Sequence, residues 1–126
     1  MVSMLLGCSS YDLTTPTREV LTGKWNLTAV EDKPLPYKVI GPGTREVVED
    51  VLTVADNNTF SESTTLRTTL NGNVTTQTIL DSGTYEFNSY VVTFHFQSNG
   101  TIGSGTMTGR KMTVITSGLS FTYSKM

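Results

Sequence analysis

Few residues in this chain could do chemistry, and their spacing limits what they could do. His95 is the only histidine and Cys8 the only cysteine among 126 residues, so a zinc site lacks ligands. His95 stands in Thr93-Phe94-His95-Phe96, on the strand face opposite the phenylalanines, and reads as a surface histidine rather than a polar group at a ligand mouth. Gly103-Ser104-Gly105 lacks the spacing of a nucleophile elbow, and no local feature joins one of the many serines to a histidine and an acid. Glu31-Asp32 and Glu49-Asp50 are neighbouring carboxylates. Adjacent strand residues point to opposite faces, so Glu49 and Asp50 are not placed to share a proton and read as solvated charge. Asp56-Asn57-Asn58 offers oxygen ligands but not the twelve-residue calcium loop with its final Glu, and reads as a turn. Gly41-Pro42-Gly43 lacks the lysine and the following helix of a phosphate loop. The chain is therefore expected to be no enzyme and to hold no metal or cofactor.

Cys8 is the exception. It ends the run Met4-Leu5-Leu6-Gly7-Cys8, with Ser9-Ser10 after it. Leu-x-Gly-Cys behind an apolar stretch resembles the lipobox of bacterial lipoproteins. The resemblance implies cleavage before Cys8 and transfer of acyl chains to its thiol, making Cys8 the lipidation site. Gly7 suits the cleavage pocket and Leu5 the position three before the cysteine. Seven residues precede Cys8 and none is basic, whereas a leader carries a basic segment and roughly 7–15 apolar residues. Residues 1–7 are therefore expected to be the end of a longer signal peptide. The serine at position 9, rather than an aspartate, points by the same likeness to the outer membrane. The acylated cysteine would be the membrane partner, since no stretch approaches the 18 apolar residues of a span.

Composition says what holds these residues. Charged residues make up 16% and hydrophobic ones 37%, and the net charge is −2. Such a balance excludes a phosphate-neutralising surface, hence nucleic acid as a partner. The 23 threonines and 12 serines lean the chain to all-β, because Thr favours strands over helices.

Residues 9–17 are small and polar and read as a flexible, disordered tether; Arg18 to Leu21 suits one helical turn. Eight strands follow. The first is Gly23 to Val30, with Trp25, Leu27 and Ala29 on one face. Glu31 to Thr44 holds three prolines and two glycines and is expected to contain no regular element. The others are Arg45 to Ala55, Thr59 to Leu70, Asn73 to Phe87 (bent at Ser82-Gly83), Tyr90 to Gln97, Thr101 to Thr108, Lys111 to Thr116 and Leu119 to Lys125. Tight-turn signals separate them, Asn71-Gly72 being the strongest. The second strand alternates poorly, since Val47-Val48 and Val51-Leu52 put apolar groups on both faces. Eight hairpin-linked strands remove their edges by closing into an antiparallel up-and-down meander barrel. The expected division is 1–7 partial signal peptide, 8–20 lipidated cysteine and tether, and 21–126 barrel.

Gly23-Lys24-Trp25 at the start of such a meander resembles the Gly-x-Trp signature of lipocalin-like (calycin-type) barrels. Trp25-Asn26-Leu27-Thr28-Ala29-Val30, the Pro34-Leu35-Pro36 loop, Asp56-Asn57-Asn58-Thr59-Phe60 and Gly83-Thr84-Tyr85 are similar to those of small bacterial lipocalin-like lipoproteins. The resemblance implies that Trp25 plugs the closed end and that a basic residue near the last strand packs over its ring, Lys125 first and Arg110 second. It also implies that the loop at 31–44 acts as a lid. Tyr85, Phe87, Phe94, Phe96, Phe121 and Tyr123 either line an apolar cavity or fill the barrel. Glu62 and Arg67 lie on opposite faces of the third strand, so one of them points inward, where an unpaired charge is costly.

Two functions fit. The first is a lipid-anchored envelope protein, monomeric and non-catalytic, that binds a small apolar or amphipathic molecule. The second is a filled barrel that engages a protein partner or inhibits an enzyme through its loops. An interior of about 300 Å³ or more, opening beside residues 31–44, favours the first, and a solid core would sink it.

Overall fold

Alternating apolar and hydroxyl residues with turn residues every few positions give strands throughout, and the computed structural model shows them over residues 17–39 and 44–126, the residues it describes. A single helical turn α1 (Arg18–Leu21) precedes ten strands. These are β1 (Gly23–Val30), β2 (Lys33–Pro34), β3 (Tyr37–Val39), β4 (Thr44–Val54), β5 (Thr59–Leu70), β6 (Asn73–Asn88), β7 (Val91–Phe96), β8 (Ile102–Thr108), β9 (Lys111–Thr116) and β10 (Leu119–Lys125). Neighbours in sequence pair antiparallel from β4 through β10, β10 pairs with β1, and β1 pairs with β4 through Gly23↔Val54 to Asn26↔Val51. The eight long strands thus close into an antiparallel barrel. Cys8, the expected signal segment at 1–7 and most of the expected tether at 8–20 lie outside the described residues.

The loop between the first two barrel strands is not free of regular structure. Lys33 and Pro34 pair with Val30 and Ala29, and Tyr37 to Val39 pair with Val47 to Arg45. Proline is tolerated there because β2 is an edge strand with no further ladder to donate to. These two short strands occupy the gap where β1 and β4, joined only near Gly23, diverge toward the other end of the barrel.

Two bulges correct the inward pattern. Against β10 the register shifts between Leu27 and Ala29, so Thr28 is an extra residue. The third inward residue of β1 is therefore Val30, which is buried, and not Ala29. Against β5 the register shifts between Val47 and Glu49, leaving Val48 extra. Inward positions change from odd before the bulge (Val47) to even after it (Asp50, Leu52, Val54). That change explains the untidy alternation of the second long strand.

No shift occurs at Ser82-Gly83, where a bend was expected: Ser61↔Ser82 and Phe60↔Gly83 continue the β5–β6 ladder. Gly83 is there for close approach. A Cβ at this position would stand 1.9 Å from the carbonyl oxygen of His95 and 2.9 Å from the Phe60 ring.

The core is one cluster running from Leu21 and Trp25 through Leu52, Val54, Phe60, Tyr85, Val92 and Phe94 to Met107, Met112, Val114 and Tyr123. Phe60 meets Phe94 and Phe96 edge to face, each with centroids 5.1 Å apart. Inward Gly103 and Gly105 on β8 leave room for the large rings of β7. This packing fills the half of the barrel that holds Trp25.

Candidate functional site

The two ends of the barrel differ. At the closed end α1 lies under the strands. Thr17 caps it by accepting from the Val20 N–H at 3.2 Å, and Leu21 is fully buried. The Trp25 indole N–H donates to the Leu21 carbonyl at 2.8 Å. The Lys125 ammonium sits 5.4 Å from the Trp25 ring centroid and donates to the Val20 carbonyl. Gly23 adopts φ +121°, and a Cβ there would meet Lys125 Cε at 2.9 Å. Gly23, Trp25 and Lys125 thus meet at one point. Burial, and then the nearby charge of Arg110, hold the Lys125 ammonium below the usual lysine range. Arg110 does not reach the ring; its guanidinium donates to the Met126 carbonyl at 3.3 Å. Arg18 ties α1 to the β4–β5 turn through the Asp56 carbonyl (3.1 Å) and Asn58 Oδ1, and its guanidinium lies 5.7 Å from the Tyr85 ring centroid.

The opposite end holds a cavity of about 280 Å³, just under the expected 300 Å³, and no described residue of the expected lid at 31–44 borders it. Of the six aromatic residues named as candidate lining, Phe96, Phe121 and Tyr123 border it. Tyr85, Phe87 and Phe94 do not. Tyr85 and Phe94 are buried in the packed half, where the Tyr85 hydroxyl donates to the Ala55 carbonyl at 2.5 Å, and Phe87 packs against the same core. Val47 and Val114 complete the apolar wall.

The cavity also contains carboxyl groups. Asp50, Glu62 and Asp81 all border it, while no Lys, Arg or His does among the described residues. Asp50 is only 5% exposed, against the expectation of a solvated surface charge. The bulge at Val48 is the cause, since it turns the even positions of β4 inward. Asp50 Oδ2 accepts from the Thr64 hydroxyl at 3.0 Å, and buried Oδ1 has no donor in reach. Glu62, one step diagonal to Asp50 across the β4–β5 ladder, accepts from the Tyr123 hydroxyl at 3.0 Å. Asp81 lies directly opposite Glu62 on β6 and accepts from the Ser82 N–H and the Ser98 hydroxyl, both at 2.8 Å.

Burial pushes the Asp50 carboxyl up to about 9, helped by a hydrogen bond to Glu62 and by its charge, while Thr64 pulls the other way. At neutral pH Asp50 thus keeps its proton. Burial, then the charges of Glu62 and Asp50, raise the Tyr123 phenol well above the usual tyrosine range, so it remains a donor. Glu62 is the inward member of the Glu62 and Arg67 pair. Arg67 instead binds Glu46 across the ladder, with its Nε at 3.2 Å and an Nη at 2.9 Å from one carboxylate oxygen. His95 is on the outer face, 3.4 Å from Glu86. No group of three metal-binding side chains is gathered among the described residues.

No protein family, curated protein or solved structure matches this chain.

Proposed function

We propose that the chain is a lipid-anchored, lipocalin-like lipoprotein of the cell envelope whose barrel binds a small amphipathic molecule without catalysis. The carrying observation is the cavity of about 280 Å³ opposite the closed end, with an aromatic wall and a few convergent polar groups. At about 30 Å³ per water it has room for roughly nine water molecules, hence for one small ligand. Cys8 and its lipobox-like setting support the anchor. The described chain enters the barrel at its closed end, through α1, so the anchor would reach the barrel from the side opposite the cavity mouth. Outer-membrane placement rests on Ser9.

Two measurements test the reading. Native mass spectrometry of barrel extracted from cells should show a bound small molecule, and an apolar fluorescent dye should compete with it. Thr116→Trp, at the cavity wall, should abolish dye binding with the circular dichroism spectrum unchanged. Absence of any bound molecule together with no dye binding to the wild type would end the ligand reading. Cys8→Ser should move the protein from the membrane to the soluble fraction; unchanged membrane association would overturn the anchor.

A further inference from the structure

We infer that the open-end cavity takes a cationic amphiphile, a primary amine with a small apolar body, and that Asp50 and Glu62 receive its ammonium group. This deepens the proposed binding function and rests on it. Three carboxyl groups from β4, β5 and β6 converge on one cavity, with no basic side chain on its wall among the described residues. Around them stand Tyr123 from β10, Thr64 from β5, and Thr101, Thr116, Asn99 and Ser117 from the rim. None of these can supply a positive charge. A buried carboxyl is normally retained beside a cation or with its oxygens satisfied. Asp50 has no cation beside it: Oδ1 is buried without a protein donor, and the carboxyl's own proton, bonded toward Glu62, stands in for one.

An ammonium group supplies what is missing. It carries donors and no acceptor, which suits Asp50 Oδ1 and the neighbouring Glu62 carboxyl, while Asp81 already accepts from Ser82 and Ser98. The apolar body would then lie on Phe96, Phe121 and Val114. An anionic ligand would meet carboxyl groups with no basic side chain on the wall among the described residues. A neutral one would bring no charge to take the place of the Asp50 proton. A bare metal ion is the weaker candidate, since no three such ligands lie close enough together.

A proton follows the ligand. With the cavity empty, one proton stays on the Asp50 and Glu62 pair. A cation between the two carboxylates favours the doubly ionised pair, so the proton leaves for solvent as the amine enters. Atoms and charge balance: one ammonium in, one proton out.

The test uses matched probes on the intact protein. Phenethylamine is compared with 2-phenylethanol, and hexylamine with hexanol, by titration calorimetry at pH 7.5 in two buffers of different ionisation heat. The amine should bind at least about tenfold more tightly than its alcohol, with heats that differ between buffers and report proton release. In Glu62→Gln the preference should fall toward unity, and Asp50→Asn should remove the buffer dependence. Both variants are near-isosteric, and circular dichroism verifies their folding. Alcohols that bind as well as amines would overturn the cation assignment while leaving the binding function standing. The same would follow if the amine preference survived in the Asp50→Asn, Glu62→Gln double variant, since the amine would then lie elsewhere. Failure of all four probes, together with failure of the fluorescent dye, would overturn the binding function itself.

Discussion

Asp50 shows how one residue sets a condition-dependent property of the whole chain. Its carboxyl is pushed up to about 9 in the folded state from an ordinary value of 3.8. Between these values the folded chain binds a proton that the unfolded chain has released. Stability therefore falls as pH rises from about 4 to about 9, with a slope that approaches ~1.4 kcal/mol per pH unit at most. Chemical denaturation at pH 5 and pH 8 should show the lower midpoint at pH 8, and Asp50→Asn should flatten that difference. Gly83 makes a second prediction at this scale. Its Cα approaches the His95 backbone so closely that a Cβ would stand 1.9 Å from a carbonyl oxygen. Gly83→Ala must push β6 and β7 apart and should cost about 1–3 kcal/mol, read as a lower melting temperature. Neither effect is legible in the sequence alone. Asp50 reads there as half of a solvated Glu49-Asp50 pair, and Gly83 reads as a bend.

Strands were more legible than single residues because their ends carry turn chemistry. Asn71 and Gly72 have φ of 52° and 80°, Ser117 and Gly118 of 53° and 78°, which are the left-handed pairs that tight hairpins require. The sequence placed the ends of β1, β5, β9 and β10 at the observed residues for that reason. Inward faces were less legible, since a bulge adds one residue and reverses the parity of everything beyond it. The reversals at Thr28 and Val48 moved Val30 into the core and Asp50 into the cavity. Edge structure was hidden too, because the prolines of β2 and its neighbour look like a veto on strands when read without the edge they sit on. The same alternation gives an element-scale prediction for β6. The Ser82 carbonyl accepts from Gln97 on the β7 side of β6. With period two, Leu80, Thr78, Thr76 and Val74 turn their backbone groups to that side, where β7 no longer pairs. Odd-numbered residues face β5. Hydrogen exchange over 73–81 should therefore alternate, fast at even positions and slower at odd ones. Uniform protection would show that something covers this edge.

At the scale of the whole molecule, the barrel separates stability from binding. The packed half holds Trp25, Phe60, Tyr85 and Phe94, and the cavity occupies the other end. Lys125 belongs to the first and Thr116 to the second. Along β10, where Leu119 pairs with Thr116, six residues separate Leu119 from Lys125, or about 20 Å at 3.4 Å per residue. Lys125→Met keeps the stem packed against Gly23 but removes the cation from the indole face and the donor from the Val20 carbonyl. Lys125 is partly exposed, so the loss should be about 1 kcal/mol, or roughly 4 °C in melting temperature. Dye affinity at the open end should not change. Thr116→Trp should do the reverse, abolishing dye binding with little change in melting temperature. Sites this far apart without shared partners act independently, so the double variant should show both effects, with stability changes adding to within about 0.5 kcal/mol. A change in dye affinity in Lys125→Met would mean that the closed end communicates with the cavity, for which β10 offers a route, since its Tyr123 borders the cavity and packs in the core.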